Sequence, residues 1–205
     1  MARVTAERVV QTKRELLEAA REVLMREGFA NLSTRRVAEA AGTQMSQIQY
    51  HFGSKEGLIL ALFEDMNARL VDRQRETFEN PDLTVSQKWF LACDYLEEDL
   101  ASGYVQVLQE LVAAGWSNET IGATVRAGLD HWHRLIAGLA AEFEAKHVSF
   151  GAFRPTEVAA LISSAFIGAE AFILLGYEDS AHPVRSALRR IGDVIAAIEA
   201  RTEEG

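Results

Sequence analysis

Three glutamines in six positions, Gln44, Gln47 and Gln49 of the run TQMSQIQYHF, are the side chains here best suited to reading a surface. A glutamine amide carries two donors and an acceptor, so it is costly to bury and idle when merely exposed. Held in place by a rigid element, it can bond the N6 and N7 edge of adenine in bidentate fashion. Met45 and Ser46 lie between them and would offer an apolar contact for a thymine methyl and a small residue that permits close approach. Other reactive groups form no constellation. His131 and His133, two apart in DHWH, leave a helix on different sides and do not chelate together. Glu97, Glu98 and Asp99 read as a solvated acidic face, and Cys93 has no histidine at helical spacing to activate it. No enzyme chemistry, metal site or cofactor is expected.

Base readers need a scaffold, and the flanking sequence predicts one. A first helix over Thr5 to Glu27 places Leu16, Leu17, Ala20, Val23 and Leu24 on one face, and Gly28 ends it. Ser33 stands where an N-cap belongs, before the short helix TRRVAEA, which Gly42 stops. A third helix, around Gln44 to His51, is anchored by Ile48 and Phe52. Ser54 then caps a fourth, Lys55 to Phe78. Two short helices about a glycine turn, braced on both sides, make a helix-turn-helix. Ala38, Ala40, Ala41 and Gly42 are small because the helices must cross closely there. Such a motif lays its second helix in the DNA major groove. Arg35 and Arg36 are then placed for phosphates or for an ion pair with Glu39, and Thr34 and Thr43 for phosphate or for capping. Lys55 opposes the dipole of its own helix, which a phosphate explains better than helix stability does.

The run GFANLSTRRVAEAAGTQMSQIQYHFGSKEGLILAL resembles the N-terminal domain of the TetR family of bacterial transcriptional regulators. Gly28-Phe29, Ser33, Val37-Ala38, Ala41-Gly42, Ile48, Tyr50-His51-Phe52, Ser54-Lys55-Glu56 and Leu58 carry the likeness, over about the first 60 residues. The resemblance implies phosphate contacts from Tyr50 and His51, with packing inside as the alternative for Tyr50. It also implies a ligand cavity among the middle helices, for which Trp89, Cys93, Tyr104, Trp116 and Trp132 are the candidate lining. Thr43-Gln44 stands where the family usually has Val-Ser, Gln49 where it often has Tyr, and Arg36 where an acidic residue is common. These departures alter the reading surface and leave the scaffold alone.

The rest of the chain reads as helix. A Thr84/Gln87 capping box opens one, further helices follow to Lys146, and Pro155 and Pro183 start the last two. No strand pattern, repeat or low-complexity tract interrupts them, so the fold class is all-α. The predicted division is residues 1–55 for the DNA-binding head, 55–78 for a linker helix and 80–205 for ligand binding and dimerisation. Net charge is −9, yet residues 1–60 hold nine Lys/Arg against seven Asp/Glu, while residues 61–205 hold twelve against twenty-three. A mildly basic head on an acidic body restricts an anionic partner to the head.

The last two helices are apolar on more sides than one chain can cover. Ile162, Ala165, Ala169 and Phe172 on the first, with Ile191, Val194, Ile195 and Ile198 on the second, would be buried by pairing of two copies as a four-helix bundle. Glu170 is expected at the rim of that seam. A single cysteine and the lack of an apolar run near the N-terminus fit a cytoplasmic location. No segment offers the ~18 uninterrupted apolar residues of a membrane span. The expectation is a homodimeric regulator of a near-palindromic duplex operator, repressing until a small-molecule effector binds, with no cofactor and no membrane. The alternatives are a regulator answering to a protein partner, and a carrier or helical enzyme that retains the head.

Overall fold

The structure, a computed structural model, describes residues 2–203. Nine α-helices and one 3-10 turn (Phe29–Asn31) make up the described residues, with no strand among them. The head contains α1 (Ala2–Glu27), α2 (Thr34–Ala40) and α3 (Met45–Phe52). Helix α4 (Lys55–Phe78) leads to a body of α5 (Val85–Ala101), α6 (Tyr104–Gly115), α7 (Glu119–Lys146), α8 (Pro155–Leu174) and α9 (Val184–Glu203).

The predicted capping box of α5 forms reciprocally between Thr84 and Gln87, and at the start of α7 the Asn118 side chain accepts from Ile121 N–H, a cap not read from the sequence. Leu16, Ala20, Val23 and Leu24 of α1 are buried with Val37, Ile48, Leu58 and Leu62, so the three head helices and the start of α4 share one core. That core runs on through Phe63 into the body, where its ring stacks on Tyr104 at 5.7 Å. Gly28 has a positive φ but an extended ψ, and leads into the 3-10 turn instead of a left-handed cap.

In the body α8 packs along α7, and α9 along α5. Two polar contacts fix the second pair. Trp89 Nε1 donates to Leu188 O at 2.7 Å, and the Glu199 carboxylate accepts from the N–H and hydroxyl of Ser86 in the first turn of α5. Buried Lys88 meets Glu142 at 3.2 Å.

By mean hydropathy (1.7) and length, α8 could cross a bilayer, which the criterion of an uninterrupted run does not reveal. In the fold it supplies Ala159, Phe166 and Ala169 to the core and leaves Leu161, Ala165 and Phe172 exposed. Ala169 is therefore no seam residue: it is spent inside its own chain. Ile162 and Ile195 are half-buried and turn inward onto an apolar cavity of about 150 Å³ with Trp89, Ile136 and Phe143. The uncovered apolar face consists of Leu161, Ala165 and Phe172 with Ile191 and Val194, edged by half-buried Ile198 and exposed Leu175.

Candidate nucleic-acid interface

Helix α2 begins at Ser33, whose Oγ accepts from Arg36 N–H at 3.3 Å, and ends in a reciprocal glycine cap. There Thr43 N–H donates to Ala38 O at 2.9 Å and Gly42 N–H to Glu39 O at 3.2 Å, with Gly42 at φ 61°. A side chain at Gly42 would strain this turn, which sets the angle between α2 and α3. Ile48 alone among α3 residues is fully buried, and it anchors the helix to the head. At the far end Ser54 caps α4 by accepting from Gly57 N–H at 3.0 Å. A Cβ on Gly57 would run into the Phe52 carbonyl oxygen, so α4 starts in direct backbone contact with the end of α3.

This bracing leaves the predicted readers outward. Gln44, Met45, Ser46, Gln47, Gln49 and Tyr50 are all exposed; Thr43 and His51 are half-buried. Tyr50, 73 % exposed, does not pack inside, and its ring meets His51 edge-on at 5.0 Å. Gln44 occupies the N-cap of α3 without a side-chain bond to the helix, so its amide and the positive helix end remain available to an anion. Thr34 is half-buried in the first turn of α2. Arg35 does pair with Glu39, at 2.9 Å, and Arg36 pairs with Glu27 at 3.5 Å. Both arginines are well exposed, so a phosphate could replace either carboxylate at little cost. Lys55 is exposed in the first turn of α4. Two residues escaped the sequence reading. Arg8 and Thr12, one turn apart on α1, share a cleft of about 410 Å³ with Thr43 and Gln47. Their i, i+4 spacing was visible; that α1 lies beside the turn was not.

The body's candidates divide. Tyr104 and Trp132 line an inner cavity of about 50 Å³ with Asn67, Gln74, Tyr95 and Glu170. Trp89 lies outside it, in the separate apolar cavity, with its N–H already bonded. Cys93 is buried elsewhere in α5, where burial pushes its thiol up to about 11. Trp116 is 84 % exposed at the end of α6. Next to it, Gly115 and Gly122 bring α6 and α7 together so closely that a Cβ on either would lie 3.0 Å from the other's backbone. Glu170 and Asp99 also differ from expectation. Glu170 is buried against the cavity, not at a rim, and burial pushes its carboxyl up to about 7. Asp99 faces the same cavity, pushed up to about 6 by burial against the opposing pull of Arg73. Among the described residues no cluster suited to a metal ion occurs.

Residues 16–62 match the family described as bacterial regulatory proteins, tetR family. The chain is 36 % identical over 76 residues to the transcriptional repressor AcnR of Corynebacterium efficiens, a match spanning 37 % of this chain and 40 % of that protein. Its fold agrees with a TetR transcription regulator from Haloarcula marismortui at a TM-score of 0.74, with 17 % identity over 90 % of this chain and 98 % of the other. A transcriptional regulator from Saccharomonospora viridis, solved in complex with choline, agrees at 0.73, with 20 % identity over 88 % and 95 % of the two chains. The head of this chain thus matches the tetR family of bacterial regulatory proteins over residues 16–62, and its whole fold agrees with those of the solved regulators.

Proposed function

We propose that this chain is a cytoplasmic, homodimeric transcriptional repressor that binds a near-palindromic duplex operator and releases it when a small molecule enters the body. It performs no catalytic step. One observation carries the DNA reading: α3 is anchored by buried Ile48 and half-buried Phe52 and turns Gln44, Met45, Ser46, Gln47, Gln49 and Tyr50 to solvent. Base contacts come from the glutamines. Phosphate contacts come from Thr34, Arg35, Arg36, Thr43, Tyr50, His51 and Lys55, with Arg8 alongside. The division into head, linker helix and ligand-binding, dimerising body follows, because α4 touches both parts. The exposed apolar face of α8 and α9 supports pairing of two copies there. A fold relative solved with choline is consistent with a small-molecule effector.

The test is selection of genomic fragments by the purified protein, followed by mobility shift over a salt series. Recovery of a two-fold symmetric sequence, its half-sites about one helical turn apart, is expected. Affinity should fall steeply with salt as phosphates release their counterions. Selection of no symmetric sequence, or a flat salt response, contradicts the proposal. The small size of the inner cavity favours a second reading, a regulator whose core stays filled and which answers to a protein partner. Failure of every small molecule to weaken an established operator complex would favour that reading.

A further inference from the structure

We propose that the inner cavity takes a small organic cation, an ammonium head on a short carbon chain, with Glu170 as its counter-ion. This rests on the small-molecule reading above and names the chemical class of the effector.

Glu170 is buried in an otherwise apolar stretch of α8 and receives a hydrogen bond from Gln109 Nε2 at 3.0 Å. Gln109 is neutral, so the carboxylate has no cationic partner among the described residues. An unpaired carboxylate in a low-dielectric site is relieved either by a proton or by a cation. The raised pKa of Glu170 is the first answer, given by burial. The second answer is written in the walls. Gln74 is buried and lines the cavity, and its Oε1 accepts no hydrogen bond. Tyr104 donates its hydroxyl to Asn67 Oδ1 at 2.8 Å, which leaves its oxygen as an acceptor. Tyr95, Trp132 and Phe166 add ring surface, with Trp132 and Phe166 edge-to-face at 5.4 Å. An ammonium has three donors and no acceptor, and it is attracted to aromatic faces. A carboxylate or phosphate would meet Glu170 and Asp99. A neutral apolar molecule would leave Gln74 unsatisfied.

Size points the same way. The inner cavity, about 50 Å³, is much the smaller of two connected spaces and suits the head of a ligand better than its chain. The chain of the ligand must leave through an outer cleft of about 340 Å³, which shares Leu70, Asp99 and Tyr104 with the inner cavity. Arg73 stands in that cleft with its guanidinium over the Tyr95 ring at 4.1 Å, and its Nε has no partner. It binds Asp99 at 2.8 Å and Glu98 at 2.5 Å, so it neutralises those carboxylates and not Glu170. A cation entering past Asp99 competes with Arg73 for it, and Arg73 belongs to α4.

The test uses the full chain in a thermal-shift and calorimetric titration. The probes are n-butylammonium and 1,4-diaminobutane, with n-butanol and butyrate as controls at equal ionic strength. Both ammonium compounds should raise the melting temperature and the controls should not. Glu170→Gln keeps the shape of the side chain, and it should weaken ammonium binding about tenfold or more, the worth of a charge-assisted contact. Trp132→Leu should weaken it as well. Equal stabilisation by butanol or butyrate, undiminished binding to the Glu170→Gln protein, or no shift with either ammonium probe overturns the inference. Operator binding is measured on the same samples. If the operator complex forms and yields only to a neutral or anionic molecule, the cation is wrong and the small-molecule regulator stands. If no operator is bound at all, the parent reading fails.

Discussion

Arg69 and Arg73 stand one helical turn apart on α4 and bond in opposite directions. Arg69 reaches Glu18 of α1 at 2.9 Å, whereas Arg73 reaches Asp99 of α5 at 2.8 Å. The bond to Arg69 is the main reason that the Glu18 carboxyl lies below its usual range. Helix α4 is thus fastened to the head and to the body through adjacent turns. It contains no proline, and past Gly57 no glycine, so a displacement at Arg73 is carried as the movement of a rod.

Replacing Arg73 by Met should therefore uncouple the two parts more than it unfolds them. The pair is only partly buried, so the expected stability change is about 1 kcal/mol. Linkage between an effector and a distant site is commonly worth about 1–3 kcal/mol, or 5–150-fold in affinity. Operator titrations with and without effector should show that factor shrinking towards one in the variant. An intact factor would mean that coupling runs through other contacts.

The glutamines and the cations should separate by what they lose. Gln47→Ala and Gln49→Ala should each alter base preference at particular operator positions, by about 1–3 kcal/mol if bidentate. Lys55→Ala and Arg8→Ala should weaken specific and random duplexes alike and lower the salt slope by about one each. Competition binding against single-base operator variants distinguishes the two patterns.

Gly57→Ala tests the α3–α4 junction. The new methyl collides with backbone, which cannot rotate away as a side chain does. Overpacking of this kind costs about 1–3 kcal/mol, or several degrees of melting temperature in a chain of this length. Operator binding should fall further than stability does, because α4 must shift against the reading helix. Retention of full affinity would show that the junction tolerates that shift.

Stability should depend on pH through Glu170. Its folded pKa, about 7, lies above the ordinary 4.5, so the folded chain holds a proton that the unfolded chain releases. The stability gained from the neutral form is complete below about pH 4.5 and is lost as pH rises through about 7. Asp99, at about 6, acts in the same direction. The groups facing Glu170 are Asp99 from α5, Tyr104 and Gln109 from α6, and Arg73 beyond them from α4; α7 contributes Trp132, Leu129 and Gly128. Urea melts between about pH 5 and pH 8 should show the decline, and Glu170→Gln should flatten it. A bound ammonium favours the ionised carboxyl, so its affinity should rise over the same interval.

The proposed pairing through α8 and α9 would distinguish two arginine substitutions. Val194→Arg, on the exposed face, should give folded monomers in sedimentation. Ala169→Arg, in the core, should prevent folding altogether, since a charge there has no partner. A dimer undisturbed by Val194→Arg and by Leu161→Arg would move the interface elsewhere.

The elements whose ends are written locally were legible in the sequence. Ser33, Ser54 and Thr84 define boundaries through bonds to residues three positions away, Pro155 stands at the first position of α8, and the helix-turn-helix follows from the first two caps. Side-chain destination was less legible, because it depends on which helices meet. Trp116 is aromatic like Trp132 and yet lies in solvent, just past the close contact of Gly115 with Gly122. Ala169 and Ala165 lie on the same apolar helix, but only the geometry of α7 decides which of them is covered. Glu170, the one charge of α8, reads as a rim residue in the sequence; in the fold Gln109 supplies a bond to it inside. Arg8 required the packing of α1 beside the turn.

The three tryptophans occupy three different surroundings, and this gives the chain its own optical readout. Trp116 faces solvent, so it should emit to the red and be quenched by iodide. Trp89 is sealed and hydrogen-bonded, so it should be silent to quencher. Trp132 touches Phe166 beside the inner cavity and meets Phe78, the last residue of α4, edge-on at 5.7 Å. With Trp116 replaced by phenylalanine, emission changes on titration would come from the two indoles that pack against Phe166, Trp132 and Trp89, of which Trp132 also contacts the end of the linker helix. Occupancy and helix movement could then be followed in the same cuvette, without an attached dye.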